Sequence, residues 1–176
     1  MPPFEIAGPV ECFLLPNDGA AAEQLLLQHL NDPSEMYIDA YAFTLVPMAD
    51  ELLDHFQAGD PLHLYADYSE SLSPLDKAQL KRLVDAGAEV TIGTSPAGRT
   101  YIAHAKALVC LDSPPFCWEG STNFSASAWK QGNTVMTFAS QTWADQFIAQ
   151  FKEFRQFAWT NERALQLMPA PPPGVG

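Results

Sequence analysis

Residues 103–123 read AHAKALVCLDSPPFCWEGSTN. Ala103 to Leu111 is an apolar run of strand length, Ser113-Pro114-Pro115 is a turn cluster, and Phe116 to Glu119 is a strand that returns. The stretch is a β-hairpin ending in a small polar turn, Gly120-Ser121-Thr122-Asn123. Residues two apart on a strand point to the same side, so His104 and Lys106 offer an imidazole and an ammonium to one spot. The hairpin brings the turn beside them. Gly120 lets the backbone approach closely, and Ser121 and Asn123 add donors.

The pattern before the hairpin is different. Val10 to Leu15 is a short apolar run closed by Pro16-Asn17-Asp18-Gly19, and Ala20 to Leu30 has helical spacing in Leu25, Leu26 and Leu30. Met36 to Phe43 is a buried strand. Thr44 to Ala58 is a helix with Pro47 in its first turn. Leu62 to Tyr65 is a strand. Ser73-Pro74-Leu75-Asp76 then caps a helix through Ala86 that Gly87 stops, and Ala88 to Gly93 is a strand. Strand and helix alternate three times and a strand follows, which predicts a mostly parallel mixed sheet with helices on both faces, an α/β/α sandwich. Beyond the hairpin, Thr134 to Phe138 is a strand and Trp143 to Trp159 an amphipathic helix. Residues 1–168 are expected to form a single domain. The Pro/Gly-rich residues 169–176 read as a disordered tail. No internal repeat is visible.

The 176 residues fit one core. No apolar run approaches the ~18 residues of a membrane span, and Met1-Pro2-Pro3-Phe4-Glu5 lacks the start of a signal peptide, so a cytoplasmic location without stable membrane insertion is expected. Cys12, Cys110 and Cys117 form no CxxC or Cys/His cluster. Cys110 and Cys117 could face each other across the hairpin, though buried free thiols are the stronger expectation. The net charge of −12 is unevenly spread: residues 1–76 hold 14 of 21 acids and no base, and residues 77–176 hold nine bases against seven acids. An acidic chain steers a polyanion weakly, so phosphate binding must be local.

An imidazole beside an ammonium and amide donors suits a phosphodiester. The cation and the Asn123 amide hold non-bridging oxygens and stabilise the transition state, and the imidazole attacks phosphorus or moves a proton. No carboxylate cluster for Mg²⁺ is visible around the motif, so neither a metal nor a cofactor is expected. A lone His-x-Lys is an ordinary surface strand, and it is the added turn that gives the pair meaning.

His104-x-Lys106 followed by Gly120-Ser121-Thr122-Asn123-Phe124-Ser125 resembles the HKD motif of the phospholipase D superfamily, in its single-motif, nuclease-like form. Tyr41-Ala42-Phe43-Thr44, Asp85-Ala86-Gly87-Ala88-Glu89-Val90 and Gln131-Gly132-Asn133 agree with it, and the likeness spans roughly residues 10–160. The resemblance implies a phospholipase D-like sandwich and a two-step reaction: one histidine forms a phosphohistidine, and a second protonates the leaving group and then activates water. His104, Lys106, Asn123 and Ser121 would form the catalytic set. The chain has one such motif, and His29, His55 and His63 lack its companions, so the resemblance implies a C2 homodimer with two motifs face to face.

Two positions depart from the family. The Asp expected five residues after the Lys is replaced by Leu111, which leaves Asp112 as a displaced counterpart beside a lengthened turn. A Glu usually follows the Asn downstream of the turn to support the histidine, but here Asn133 is followed by Thr134, a hydroxyl that cannot stabilise an imidazolium as a carboxylate does. Glu119 and Asp112 are the candidate substitutes. Three functions follow: a metal-independent endonuclease on DNA or RNA, a phospholipase D-type hydrolase of phosphatidyl headgroups, and a catalytically weakened dimeric module that binds phosphate. The absence of a basic amphipathic helix and the placement of the bases favour the first.

Overall fold

The structure, a computed structural model, describes residues 6, 8–97, 101–156 and 158–160. The elements run β1 (Val10–Leu14), α1 (Gly19–Leu30), β2 (Met36–Ala40), α2 (Val46–Ala58), β3 (Leu62–Asp67), α3 (Pro74–Ala86), β4 (Glu89–Gly93), β5 (Lys106–Cys110), β6 (Phe116–Gly120), β7 (Thr134–Ala139), α4 (Gln141–Arg155) and β8 (Trp159–Thr160). The expected tail, residues 169–176, lies outside the described residues.

The strands form one sheet in the order β1-β7-β6-β5-β2-β3-β4-β8. Only β2–β3–β4 are parallel, and every other neighbour is antiparallel. The sheet is mixed as expected, but the antiparallel share is larger than the strand–helix alternation suggested. The cause is local: β5 to β6 is a hairpin, β1 caps the far edge against β7, and the two-residue β8 closes the other edge against β4.

The pleat divides the core into two layers. Ile38, Ala40, Leu64, Leu108 and Trp118 face α1, α2 and α3, where Leu26, Leu30, Met48, Leu52, Leu80 and Leu83 meet them. Tyr37, Tyr65, Val109 and Cys117 face the other way, against Trp143, Phe147 and Phe151 of α4. Burying each of the larger side chains contributes roughly 1.5–3 kcal/mol. Cys110 and Cys117 are both buried and free. They do not oppose each other: Val109 pairs with Cys117 and Cys110 with Phe116, so the two thiols lie on opposite faces.

The helix ends follow the capping signals. Ser73 caps α3 by accepting from the Asp76 backbone N–H at 3.2 Å, and Gly87 ends it with φ +96°. Asp76 also reaches outward, because its Oδ1 accepts from the Phe43 N–H at 2.5 Å in a buried contact. One carboxylate thus fixes a helix start and the segment that leaves β2. That segment, Tyr41 to Leu45, carries the site.

Candidate active site

His104 does not sit on a strand. Regular pairing starts at Lys106, and residues 103–105 approach it as an extended lead-in tied down at two points. The Ala103 N–H donates to Asp67 Oδ2 at 2.7 Å, and the Tyr41 N–H donates to Ala105 O at 3.0 Å. Asp67 is fully buried at the end of β3, where its Oδ1 also accepts from the Ser69 N–H at 2.8 Å and hydroxyl at 2.5 Å. Four positions of the lead-in and its surroundings are therefore set by one carboxylate and one backbone bond.

The two motif side chains differ in environment. The His104 imidazole is exposed and lies 4.4 Å, centroid to centroid, from the Tyr41 ring. Lys106 is only 3% exposed, its Nζ donates to His104 O at 2.5 Å, and it stands 4.6 Å over the same Tyr41 ring. Tyr41 thus holds both groups, one by ring contact and one by cation–π attraction. Burial lowers the Lys106 ammonium to about 8, against the pull of Asp39, Asp67, Glu119 and Glu70, which favour its charged form. Desolvation, and next the Lys106 charge, push His104 below its ordinary value, while Asp67 acts the other way. The imidazole is therefore held towards its neutral, nucleophilic form.

Two carboxylates that sequence reasoning did not place beside the motif lie behind it. Asp39 and Glu119 both oppose Ala107, one from β2 and one from β6, so all three share the α4 face. Asp39 rises to about 7, through burial first and then the nearby Asp67 and Glu119, with Lys106 opposing. Burial also raises Glu119, and Lys106 again opposes. Little in the local sequence signals this arrangement. Asp39 hides inside an apolar strand, and the contacts join residues far apart in the chain.

The turn is built as a rigid ledge. A Cβ on Gly120 would meet Thr134 O at 2.3 Å, so only glycine fits between β6 and β7. The Ser121 N–H donates to Thr134 O at 2.9 Å, its hydroxyl donates to Asn133 Oδ1 at 3.0 Å, and the Thr134 N–H donates back to Ser121 Oγ at 3.0 Å. Asn133 Nδ2 donates to Ala128 O at 3.0 Å. Ser121 and Asn133 therefore hold the turn's shape. Phe124 O accepts from the Thr44 and Leu45 N–H groups at 2.9 and 2.8 Å, and Phe43 bridges Phe124. Tyr41–Leu45 is thus bonded to the motif strand at one end and to the turn at the other, which brings the two halves of the site together. Asn123 Oδ1 is buried without a hydrogen-bond partner among the described residues.

The remaining candidates fall elsewhere. Asp112 lies past the far end of β5, roughly 20 Å of strand from Lys106 at ~3.3 Å per residue, grouped with His29 and Asp32. It takes no part in the site. Thr134 is exposed at the start of β7. Because Glu119 pairs with Met136, Thr134 is the diagonal neighbour of Glu119 on the same face. His29 stacks on Phe116, His55 is buried in α2, and His63 lies between Glu35 and Glu89.

No protein-family model matches the chain, and no curated relative does. Solved structures do. The phospholipase D family member Nuc from Salmonella typhimurium superposes with a TM-score of 0.74 at 18% identity, covering 86% of this chain and 97% of Nuc. The chain has a phospholipase D-like fold. NucT from Helicobacter pylori matches with a TM-score of 0.73 at 17% identity, over 85% of this chain and 97% of NucT. The phosphatidylserine synthase of Haemophilus influenzae gives 0.65 at 13% identity, over 91% of this chain and 44% of the synthase. In this phospholipase D-like frame residues 103–105 lead into β5, which pairs antiparallel with β2 at the centre of the sheet.

Proposed function

We propose that the chain is a metal-independent phosphodiesterase that acts as a homodimer, with His104 of each copy meeting at one shared site. The observation that carries this reading is the pairing of an exposed imidazole, shifted towards its neutral form, with a buried ammonium, both set against Tyr41. One His104 attacks phosphorus, forming a P–N bond as the P–O bond to the leaving group breaks. The second His104 gives that oxygen its proton. It then takes a proton from water, whose oxygen displaces the first histidine. Lys106 and Asn123 stabilise the non-bridging oxygens, and Glu119, beside Thr134, supplies a carboxylate to the same face.

Polynucleotide is the substrate class that the charge distribution favours, since the half of the chain that holds the site carries nine bases against seven acids. No described helix is long and apolar enough to cross a membrane. The test is turnover of a generic phosphodiester, single-stranded DNA, RNA and phosphatidyl substrates in excess EDTA. Wild-type protein is expected to cleave and His104→Ala to fall at least ~10³-fold, as for loss of a nucleophile. If wild type does not exceed His104→Ala on any of them, the chain is a binding module and the catalytic reading fails.

A further inference from the structure

Behind the motif strand, on the side away from α1–α3, lies a cavity of about 290 Å³ between the sheet and α4. Its polar walls are Asp39, Glu119, Gln146 and Gln150, and Trp143, Phe147 and Phe151 supply aromatic surface. Asp39 is 4% exposed, and its Oδ1 is buried with no hydrogen-bond partner among the described residues. A buried carboxylate without a partner is costly unless it is neutralised or meets a cation. We infer that this cavity is a binding site for a small organic ammonium, with the carboxylates of Asp39 and Glu119 as counter-charges and the α4 aromatics as its walls.

The ligand class follows from the donors. Asp39 and Glu119 flank Ala107, so they stand two strands apart on one face, roughly 10 Å between Cα atoms. A single metal ion needs its oxygens within about 2.0–2.6 Å, and the aromatic walls offer it none. An alkylated ammonium matches both features: its charge answers the carboxylates, and its methyl or methylene groups lie on ring faces. Trp143 and Phe147 stack at 5.1 Å and 8°, which fixes that wall. Lys106 occupies its own place against Tyr41 and His104 O, on the neighbouring strand position. Gln146 and Gln150, less buried, form the outer rim on α4 and accept N–H donors. Ala105, between His104 and Lys106, is part of the inner wall, so an occupant lies directly behind the catalytic pair.

The site does not depend on the phosphodiesterase reading, so it is tested in protein that cannot turn over. His104→Ala protein is titrated calorimetrically with choline and with 3,3-dimethyl-1-butanol, its neutral carbon isostere, at about pH 8, above the value of about 7 to which Asp39 is raised. Choline is expected to bind saturably, one per chain, and the isostere at least about tenfold more weakly. Asp39→Asn removes the charge without changing shape, and Gln146→Lys ties an ammonium into the rim. Each should weaken choline about tenfold or more. Equal binding of the isostere, no saturable binding, or indifference to both substitutions overturns the inference. Competition by glycerophosphocholine but not glycerophosphoglycerol shows that the cation enters as part of a phosphodiester, and competition by free amines alone shows a separate ligand. Both outcomes support the site.

Discussion

The chemistry of this site is set by a few buried charges, and Asp67 shows how. One carboxylate fixes the Ala103 backbone through Oδ2 and the start of the next loop through Oδ1, and its charge opposes the desolvation of His104. Asp67→Asn keeps the size but places an N–H against one of these donors. It also removes the influence that raises His104. The sign is direct: without that carboxylate the imidazolium forms only at a lower pH, so the acid limb of the kcat/KM profile should move down. Misplacement of the lead-in should lower kcat about 10²-fold, as expected for small displacements of catalytic groups. A kcat within about threefold of wild type with an unmoved acid limb would show that Asp67 only fills space.

At the scale of elements, the β6–β7 contact at Gly120 is the tightest approach the site requires. Gly120→Ala must push Thr134 O away and so loosens the ledge of Ser121 and Asn133. The expected cost is roughly 2–3 kcal/mol, typical of overpacking, which lowers Tm by roughly 5–10 °C for a chain of this size. Gly132→Ala is the control, since a Cβ there meets nothing within 4 Å. Equal Tm values for the two variants would contradict the packing argument. The same region shows what the sequence made legible. Period-2 spacing placed His104 and Lys106 together, and the capping signal at Ser73 and the stop at Gly87 matched α3. Strand pairing past β4 was less visible, because a two-residue strand such as β8 has no period to read and the partner of an edge strand such as β1 is not encoded locally. The start of β5 was placed three residues early because Ala103 to Ala105 are apolar enough for a strand but bond to Asp67 and Tyr41 instead. Asp39, Asp67 and Glu119 were missed as a group for a related reason. Each is ordinary in its own segment, and only the sheet register gathers them.

On the proposed shared-site reading one chain holds half of the machinery, and five exposed apolar side chains are candidates for contact with a second copy. Tyr101 and Ile102, just before the motif, are exposed, as are Val46 after the β2 segment and Leu72 and Leu75 after β3. Tyr101 is 61% exposed and Leu75 69%. All of them lie in segments that follow the ends of β2, β3 and β4, the end of the sheet at which residues 101–105 lead into β5, and so form a candidate apolar rim on the side of His104. In the proposed dimer, a twofold axis through that rim would bury these side chains and set the two imidazoles against one phosphorus. Subunit mixing distinguishes this arrangement from a self-sufficient monomer. When wild type is refolded or exchanged with an equal amount of His104→Ala, half of the wild-type chains pair with an inactive partner. Activity per wild-type chain should fall to about half, and with a tenfold excess of the variant to about a tenth, because each mixed dimer has a single imidazole. Tyr101→Asp, which places a charge on the rim, should halve the mass in solution and abolish turnover while leaving the fold's circular dichroism unchanged. Activity per wild-type chain that stays constant across the mixtures, or a fully active monomeric Tyr101→Asp, would overturn the shared site.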